Sequence, residues 1–450
     1  MENIVEEYIK THSKSAKLHE RALKVFAADG ATHFSRILFP FLPYITHAKG
    51  SRKWDIDGNE YIDYLMGHGA LILGHGHPDV VKAVQQQAER GVHFSSNHEL
   101  EIQWAELILE MIPWAEKVEF FSSGMEANMM ALRLGRIYTG RKAVLKFEEH
   151  FHGWSDHLVE ASEPGVMPED NMIYTVSIPA NDLDRLEQAL ATKKFAVLMT
   201  EGGGAHMGGQ VPLDTKFVQA IPQLVRRYGT VWCIDEVVTG FRDAPGGWQA
   251  AVGVTPDLTT LGKCVAGGLG AGALVGKTDI MDALRPKNEK KRSVRHSGTW
   301  NANPLTAAAG VAACRLLKSG EVQKKVLELA ATIREKGTEV LDERGIQGRL
   351  YGRSIVHIYF GPAELEPSDK TLPPTWDGSK IIPPSKSPMR KRLCLHLLQR
   401  GVAVGVSGGR FFIMSLAHTQ QDIDETIKAF GDSLDALVAE GSLGKEYLKT

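Results

Sequence analysis

The chain has 450 residues, 43% of them hydrophobic and 24% charged, with a formal net charge of −2 and four cysteines. That length can bury a large core and divides into two or three domains. A near-neutral balance without a long basic run argues against nucleic acid or an anionic membrane as partner. No apolar stretch approaches the roughly 18 residues of a membrane span. The acidic, amphipathic start M-E-N-I-V-E-E-Y-I-K is unlike a signal or transit peptide. Cys233, Cys264, Cys314 and Cys394 are widely spaced, form no metal-type pairs and fit a reducing cytoplasm.

Residues from about 3 to 28 read as helix, with Ile4, Val5, Tyr8 and Ile9 on one face. Trp54 to Tyr64 reads as a β-hairpin turning at Asp57-Gly58-Asn59. From about Leu100 to Gly310, strand-like runs alternate with helical patterns. The runs are Val118–Phe121, Ala143–Phe147, Ala196–Thr200, Thr230–Ile234 and Leu258–Leu261. Such alternation predicts an α/β fold with a mostly parallel sheet covered by helices. Helical periodicity returns at 307–318 and 322–343. Beyond Tyr351 the pattern is strand-like, broken by a Pro-rich stretch from Gly361 to Pro388 that reads as a long loop. A helix–strand–helix unit from about Lys391 to Leu437 completes a smaller C-terminal domain.

Three segments carry chemistry. The run Val231-Trp232-Cys233-Ile234 ends in Asp235, and the run from Asp257 to Leu261 ends in Gly262-Lys263. Two strand ends in one α/β sheet aim a carboxylate and an amine into one crevice. Those are the groups pyridoxal phosphate chemistry needs, to hold a pyridinium nitrogen and to form a Schiff base. Either residue alone is more often a cap or a surface charge. A nucleotide P-loop is excluded, because Asp257 stands where its first glycine belongs and Cys264 where Ser or Thr belongs. Ser122-Ser123-Gly124-Met125 forms a small-residue turn opening a helix, which presents N–H donors to a phosphate. His150-Phe151-His152-Gly153-Trp154 places an aromatic where it packs in the core or stacks on a planar cofactor.

In order, W-D-I-D-G-N-E-Y-I-D, L-G-H-G-H-P, F-S-S-G-M-E-A-N, F-H-G, I-D-E-V, T-L-G-K-C-V-A-G-G, S-G-T-W-N-A-N-P and S-L-A-H-T resemble the class III, fold-type I aminotransferases dependent on pyridoxal phosphate. The resemblance spans roughly residues 50 to 420. It is closest to the branch holding glutamate-1-semialdehyde aminomutase and the β-amino-acid (β-phenylalanine type) aminotransferases. It implies a large cofactor domain over 61–315 with a mostly parallel sheet of the seven-stranded type. A smaller α+β domain over 316–450 and an N-terminal helix-and-hairpin segment, 1–60, packing with it, complete the chain. Lys263 would carry the Schiff base and shuttle the proton, and Asp235 would keep the ring nitrogen protonated. Val237 and Phe151 would pack the ring faces, with His152 and Glu201 beside them. Ser123, Gly124 and Met125 would hold the phosphate, and Thr299 would reach it from the neighbouring subunit of a homodimer.

Three departures from the family pattern stand out. Met125 replaces the usual Thr. The family's Glu-Pro motif appears as T-E-G-G-G-A-H-M-G, where His206 would stand in for the residue bonding the ring 3-hydroxyl. Arg410 occupies the position where the aminomutases carry glutamate. An arginine fork there would bind a substrate carboxylate, with Arg36 as a second candidate. The reading is a ping-pong aminotransferase moving nitrogen from an apolar or aromatic amino acid, a β-amino acid favoured, to a 2-oxo acid. The alternatives are a glutamate-1-semialdehyde 2,1-aminomutase and an aminotransferase for D-amino acids such as D-phenylglycine.

Overall fold

A computed structural model describes residues 4–27, 30, 40–160, 163–167, 174–206, 208–285, 293–367, 388–405 and 410–449, with the side chains of 410 and 411 outside that description. The chain forms two compact units, Pro78–Lys324 and Met1–His77 with Lys325–Thr450.

The first unit is built on a seven-stranded sheet. Its order is Lys117–Phe121, Gly272–Gly276, Leu258–Gly262, Val231–Glu236, Phe195–Glu201, Ala143–Phe147, Thr175–Ile178. Gly272–Gly276 runs antiparallel to both neighbours, and the remaining pairs are parallel. The three strands at 143, 195 and 231 are buried at every position, which explains their continuous apolar sequence. Side chains alternate across the sheet. Val231 and Cys233 join a core with Ala127, Met130, Ala131 and Leu134 of the helix Gly124–Thr139. Trp232 and Ile234 join another with Phe217, Val218, Ile221 and Leu224 of the helix Thr215–Tyr228. Continued one step, this alternation sends Asp235 to the first face and Glu236 to the second.

Glu236 is fully buried there. Its carboxylate accepts the N–H groups of Trp248 and Gln249 (both 2.8 Å) and the Thr239 hydroxyl (2.9 Å). It thereby fixes the start of the short helix Gly247–Val252. Burial pushes its pKa up to about 7 despite these donors. On the same unit, the helix Pro304–Leu317 packs against the helices Pro78–Arg90 and Glu99–Met111. Trp104 is fully buried, stacks on Phe120 (4.3 Å between ring centroids) and donates its indole N–H to Val265 O (3.0 Å). It lies against Gly310, where a Cβ would collide with the indole ring.

In the second unit, the strands Arg52–Asp55 and Glu60–Asp63 form the expected hairpin around Asp57-Gly58-Asn59. The expected single N-terminal helix is broken into Ile4–Thr11 and Ser13–Ala22. The break has a long-range cause: His12 turns inward to bond Tyr8 O (2.8 Å) and the Tyr61 hydroxyl (2.6 Å). Asp57 of the hairpin turn then caps the second helix, accepting from Lys14 N, Ser15 N and Ser15 Oγ. Glu60–Asp63 also pairs with Val402–Ala403, and Gly50 bridges His75. These pairings draw the chain as far as His77 into this unit, past the boundary expected after residue 60. The other boundary lies inside the helix Glu321–Glu343 rather than after residue 315. Strands Gly348–Gly352, Ile355–Phe360 and Arg410–Ile413 and the helices Pro388–Gln399 and Gln420–Ala439 complete the unit. Most of the Pro-rich stretch lies outside the described residues. Among the described residues no helix is long and apolar enough to cross a membrane.

Gly310→Ala should destabilise the protein by roughly 1–3 kcal/mol through overpacking against Trp104, measured as a lowered denaturant midpoint. Because Glu236 binds its proton more tightly folded than unfolded, its contribution is full below about pH 4.5 and is lost as pH rises through 7. Unfolding free energy should therefore fall across that window, and Glu236→Gln should flatten the slope.

Candidate active site

Asp235 ends its strand on the face of the helix Gly124–Thr139, as the alternation requires. Its Oδ2 accepts from Asn128 Nδ2 (2.7 Å) and His152 Nδ1 (2.9 Å), and its Oδ1 accepts Val237 N–H (3.0 Å). Asn128 also donates to His152 O (3.0 Å) and accepts from Thr260 Oγ1 (2.6 Å). One amide thus ties together the helix, the 150–153 loop and two strands. His152 is fully buried; burial lowers its pKa, against the pull of Asp235.

Strands Val231–Glu236 and Leu258–Gly262 are parallel neighbours, with Asp235 level with Thr260. Lys263, three residues beyond, therefore emerges beside Asp235. It opens a single 3-10 turn, Lys263–Ala266, and holds a left-handed backbone with φ 48°. Lys263 and Asp235 line one cavity of about 240 Å³. Gly124, Met125, Phe151, His152, Glu201 and Val237 line it too, as do Asn128, Gly153, Trp154, Gly202 and Val238, which sequence reasoning missed. Asn128 had one faint signal: it stands one helical turn after Gly124, on the same face.

Ser123 caps the helix Gly124–Thr139, its Oγ accepting Glu126 N–H (3.3 Å). A Cβ on Gly124 would lie 2.5 Å from Val237, so glycine allows the helix start to close against the strand end. Met125 packs on Gly153 and accepts Trp154 N–H at its sulfur (3.2 Å). Glu201 holds the loop on the other side: its carboxylate accepts Phe151 N–H (2.6 Å) and its own N–H donates to His150 Nδ1 (2.8 Å). Phe151 and Trp154 meet edge to face at 5.0 Å.

Other expected residues lie elsewhere. His206 pairs with Glu149 (3.1 Å) and does not line the cavity. Thr299 has an exposed side chain away from the cavity. Its loop is held from behind, with His93 Nε2 bonded to Thr299 O (2.5 Å) and His98 Nε2 to Ala302 O (2.8 Å). Arg36 and the Arg410 side chain lie outside the described residues; the Arg410 backbone begins the strand Arg410–Ile413.

Pyridoxal phosphate suits this chemistry. Asp235 Oδ1 carries a single backbone bond among the described residues and keeps capacity for a ring N–H. A lysine stands in the same cavity, and a helix start supplies phosphate donors.

Comparison with known proteins agrees. The chain is 36% identical over 413 residues to glutamate-1-semialdehyde 2,1-aminomutase of Syntrophomonas wolfei, covering 88% of this chain and 91% of that one. It is similar in structure to an omega-transaminase from Sphaerobacter thermophilus, with a TM-score of 0.84, 30% identity and coverage of 94% and 97%. It is also similar to a β-phenylalanine aminotransferase from Variovorax paradoxus, with a TM-score of 0.82, 26% identity and 97% of each chain covered. The model of the class III aminotransferases matches residues 36–434, and the chain belongs to that family.

Proposed function

We propose that the protein moves an amino group on a carboxylate-bearing amino substrate, with Lys263 and Asp235 as its working pair. Their meeting in one cavity beside a helix start carries this reading. Class III aminotransferases use pyridoxal 5′-phosphate, which supplies a carbon that condenses with amines and a ring that accepts their electrons. Ser123 Oγ and the N–H groups of Gly124 and Met125 would hold its phosphate. Val237 and Phe151 would pack its ring, with Glu201 fixing Phe151 through its backbone. Asp235 would hold the ring N–H, and Lys263 Nζ would bind the cofactor and then take and return the substrate proton. Thr299, exposed and away from its own chain's cavity, would serve the site of a second copy in a homodimer.

On the finer question, the names of the curated relatives favour a 2,1-aminomutase over the transfer from an apolar or aromatic β-amino acid that the sequence reading preferred. The resemblance keeps transfer to a 2-oxo acid as a second reading, since by it Arg410 would stand where the aminomutases have glutamate. The omega-transaminase and β-phenylalanine aminotransferase likenesses support it. Incubation with glutamate-1-semialdehyde and no acceptor separates the two. Isomerisation establishes the mutase; its absence, with bleaching of the cofactor band by one enantiomer of an α- or β-amino acid, establishes the transferase.

Borohydride should fix the pyridoxyl group on Lys263, seen by peptide mapping, and a label on another lysine would refute the assignment. Asp235→Asn should retain cofactor while kcat falls about 10²–10³-fold, the scale of losing one preorganised charge partner. Arg410→Ala should raise KM for amino and oxo acids alike by about ten- to a hundredfold, roughly 1.5–3 kcal/mol. Amines lacking a carboxylate should be spared; equal losses for both would mark a structural arginine.

A further inference from the structure

His150 and His152 flank the aromatic that faces the cavity, and both are nearly inaccessible (3% and 1% exposed). Their bonding partners fix their tautomers. His150 Nδ1 receives the Glu201 N–H, which can only donate, so Nδ1 is bare and the proton of the neutral ring sits on Nε2. His152 Nδ1 faces the Asp235 carboxylate, which can only accept, so Nδ1 carries the proton and Nε2 is bare. The pair therefore presents one donor, His150 Nε2–H, and one acceptor, His152 Nε2. Both atoms are buried, and neither has a partner among the described residues. The rings lie 6.1 Å apart at 52°, with no direct bond between them. Lys146, Glu160, His206 and Asp235 are the charged and titratable groups acting on the pair. Burial first, then the fields of His152, Lys146 and His206, lowers the His150 pKa well below that of a free imidazole.

We propose that one buried water accepts from His150 Nε2–H and donates to His152 Nε2, extending the support of Asp235 into a relay, Glu201 N–H to His150 to water to His152 to Asp235. A buried donor and a nearby buried acceptor that find no partner among the described residues are the groups a structural water satisfies. This relay rests on the proposed role of Asp235 at the cofactor's ring nitrogen. Its product is orientation. With Oδ2 committed to Asn128 and to a polarised His152, Oδ1 remains the oxygen turned to the ring. His150 never touches the cofactor in this scheme; it is a positioning residue acting through His152.

Long-range ¹H–¹⁵N spectra of the cofactor-loaded protein, labelled at histidine, test the relay. Between about pH 6 and 8 both rings should be neutral, His150 as the Nε2–H tautomer and His152 as the Nδ1–H tautomer. An imidazolium or the opposite tautomer at either position overturns the relay. In His150→Phe the Nδ1–H resonance of His152 should move, and ¹⁵N-labelled cofactor should lose part of its ring-nitrogen protonation. kcat should fall about tenfold with KM nearly unchanged, and His150→Gln, which keeps a donor, should recover part of each signal. A folded, cofactor-retaining His150→Phe protein with both resonances unmoved also refutes it. If that variant does not fold, cross-relaxation between a long-lived water and His150 Nε2–H in the wild-type protein supports the relay, and its absence overturns it. Failure of the unaltered protein to take up pyridoxal phosphate would sink the proposed function instead, and the same water contact read in the cofactor-free protein would still decide on the relay.

Discussion

A carboxylate at the end of a central strand, removed from solvent, must be met by donors or the strand end cannot close, and the site is organised around meeting that demand at Asp235. Three donors converge on it: the Asn128 amide, the His152 ring and the Val237 N–H. Each comes from a different stretch of chain. A buried ion left short of donors is costly, so these contacts fix the helix start, the 150–153 loop and the turn after the strand together. What closes the core therefore also orients the Asp235 carboxylate.

Neighbouring Glu236 shows how finely strand parity divides labour. Two acidic residues in succession point to opposite faces, one toward the cavity and one toward the helix Gly247–Val252. The second is surrounded by N–H groups and a hydroxyl, yet burial still dominates its proton affinity. A one-residue slip would exchange the two directions and turn Asp235 into the wrong core. The fully buried strands on either side hold that register.

Much of this was legible because it depends on local pattern. Apolar runs ending in Asp235 and in Gly262-Lys263 announced adjacent strand ends, and Ser123-Gly124 announced a helix start. The strand Gly272–Gly276 escaped notice, being short and bounded by glycines that weaken a strand signal. Asn128 gave only a faint signal because its meaning lies in a contact 107 positions away. The break at His12 was likewise hidden, since Tyr61 causes it rather than any local helix breaker. His206 was chosen by analogy of position; it holds a left-handed backbone, pairs with Glu149 and is not among the residues lining the cavity. The pairing of Glu60–Asp63 with Val402–Ala403, some 340 residues later, is invisible to a window-based reading.

Lys263 holds a backbone conformation that disfavours any side chain with a Cβ, at about 1–2 kcal/mol for an L-residue in the left-handed region. The polypeptide would fold more easily with glycine at this position, and alanine would inherit the strain without the amine. Stability and chemistry therefore pull in opposite directions at a single residue. If Lys263 has the proposed role, a directed-evolution campaign that rewarded only yield or melting temperature would drift toward glycine at 263, enriching well-folded protein that no longer turns over. Under the proposed role, selection on the reaction itself keeps the strained lysine in place.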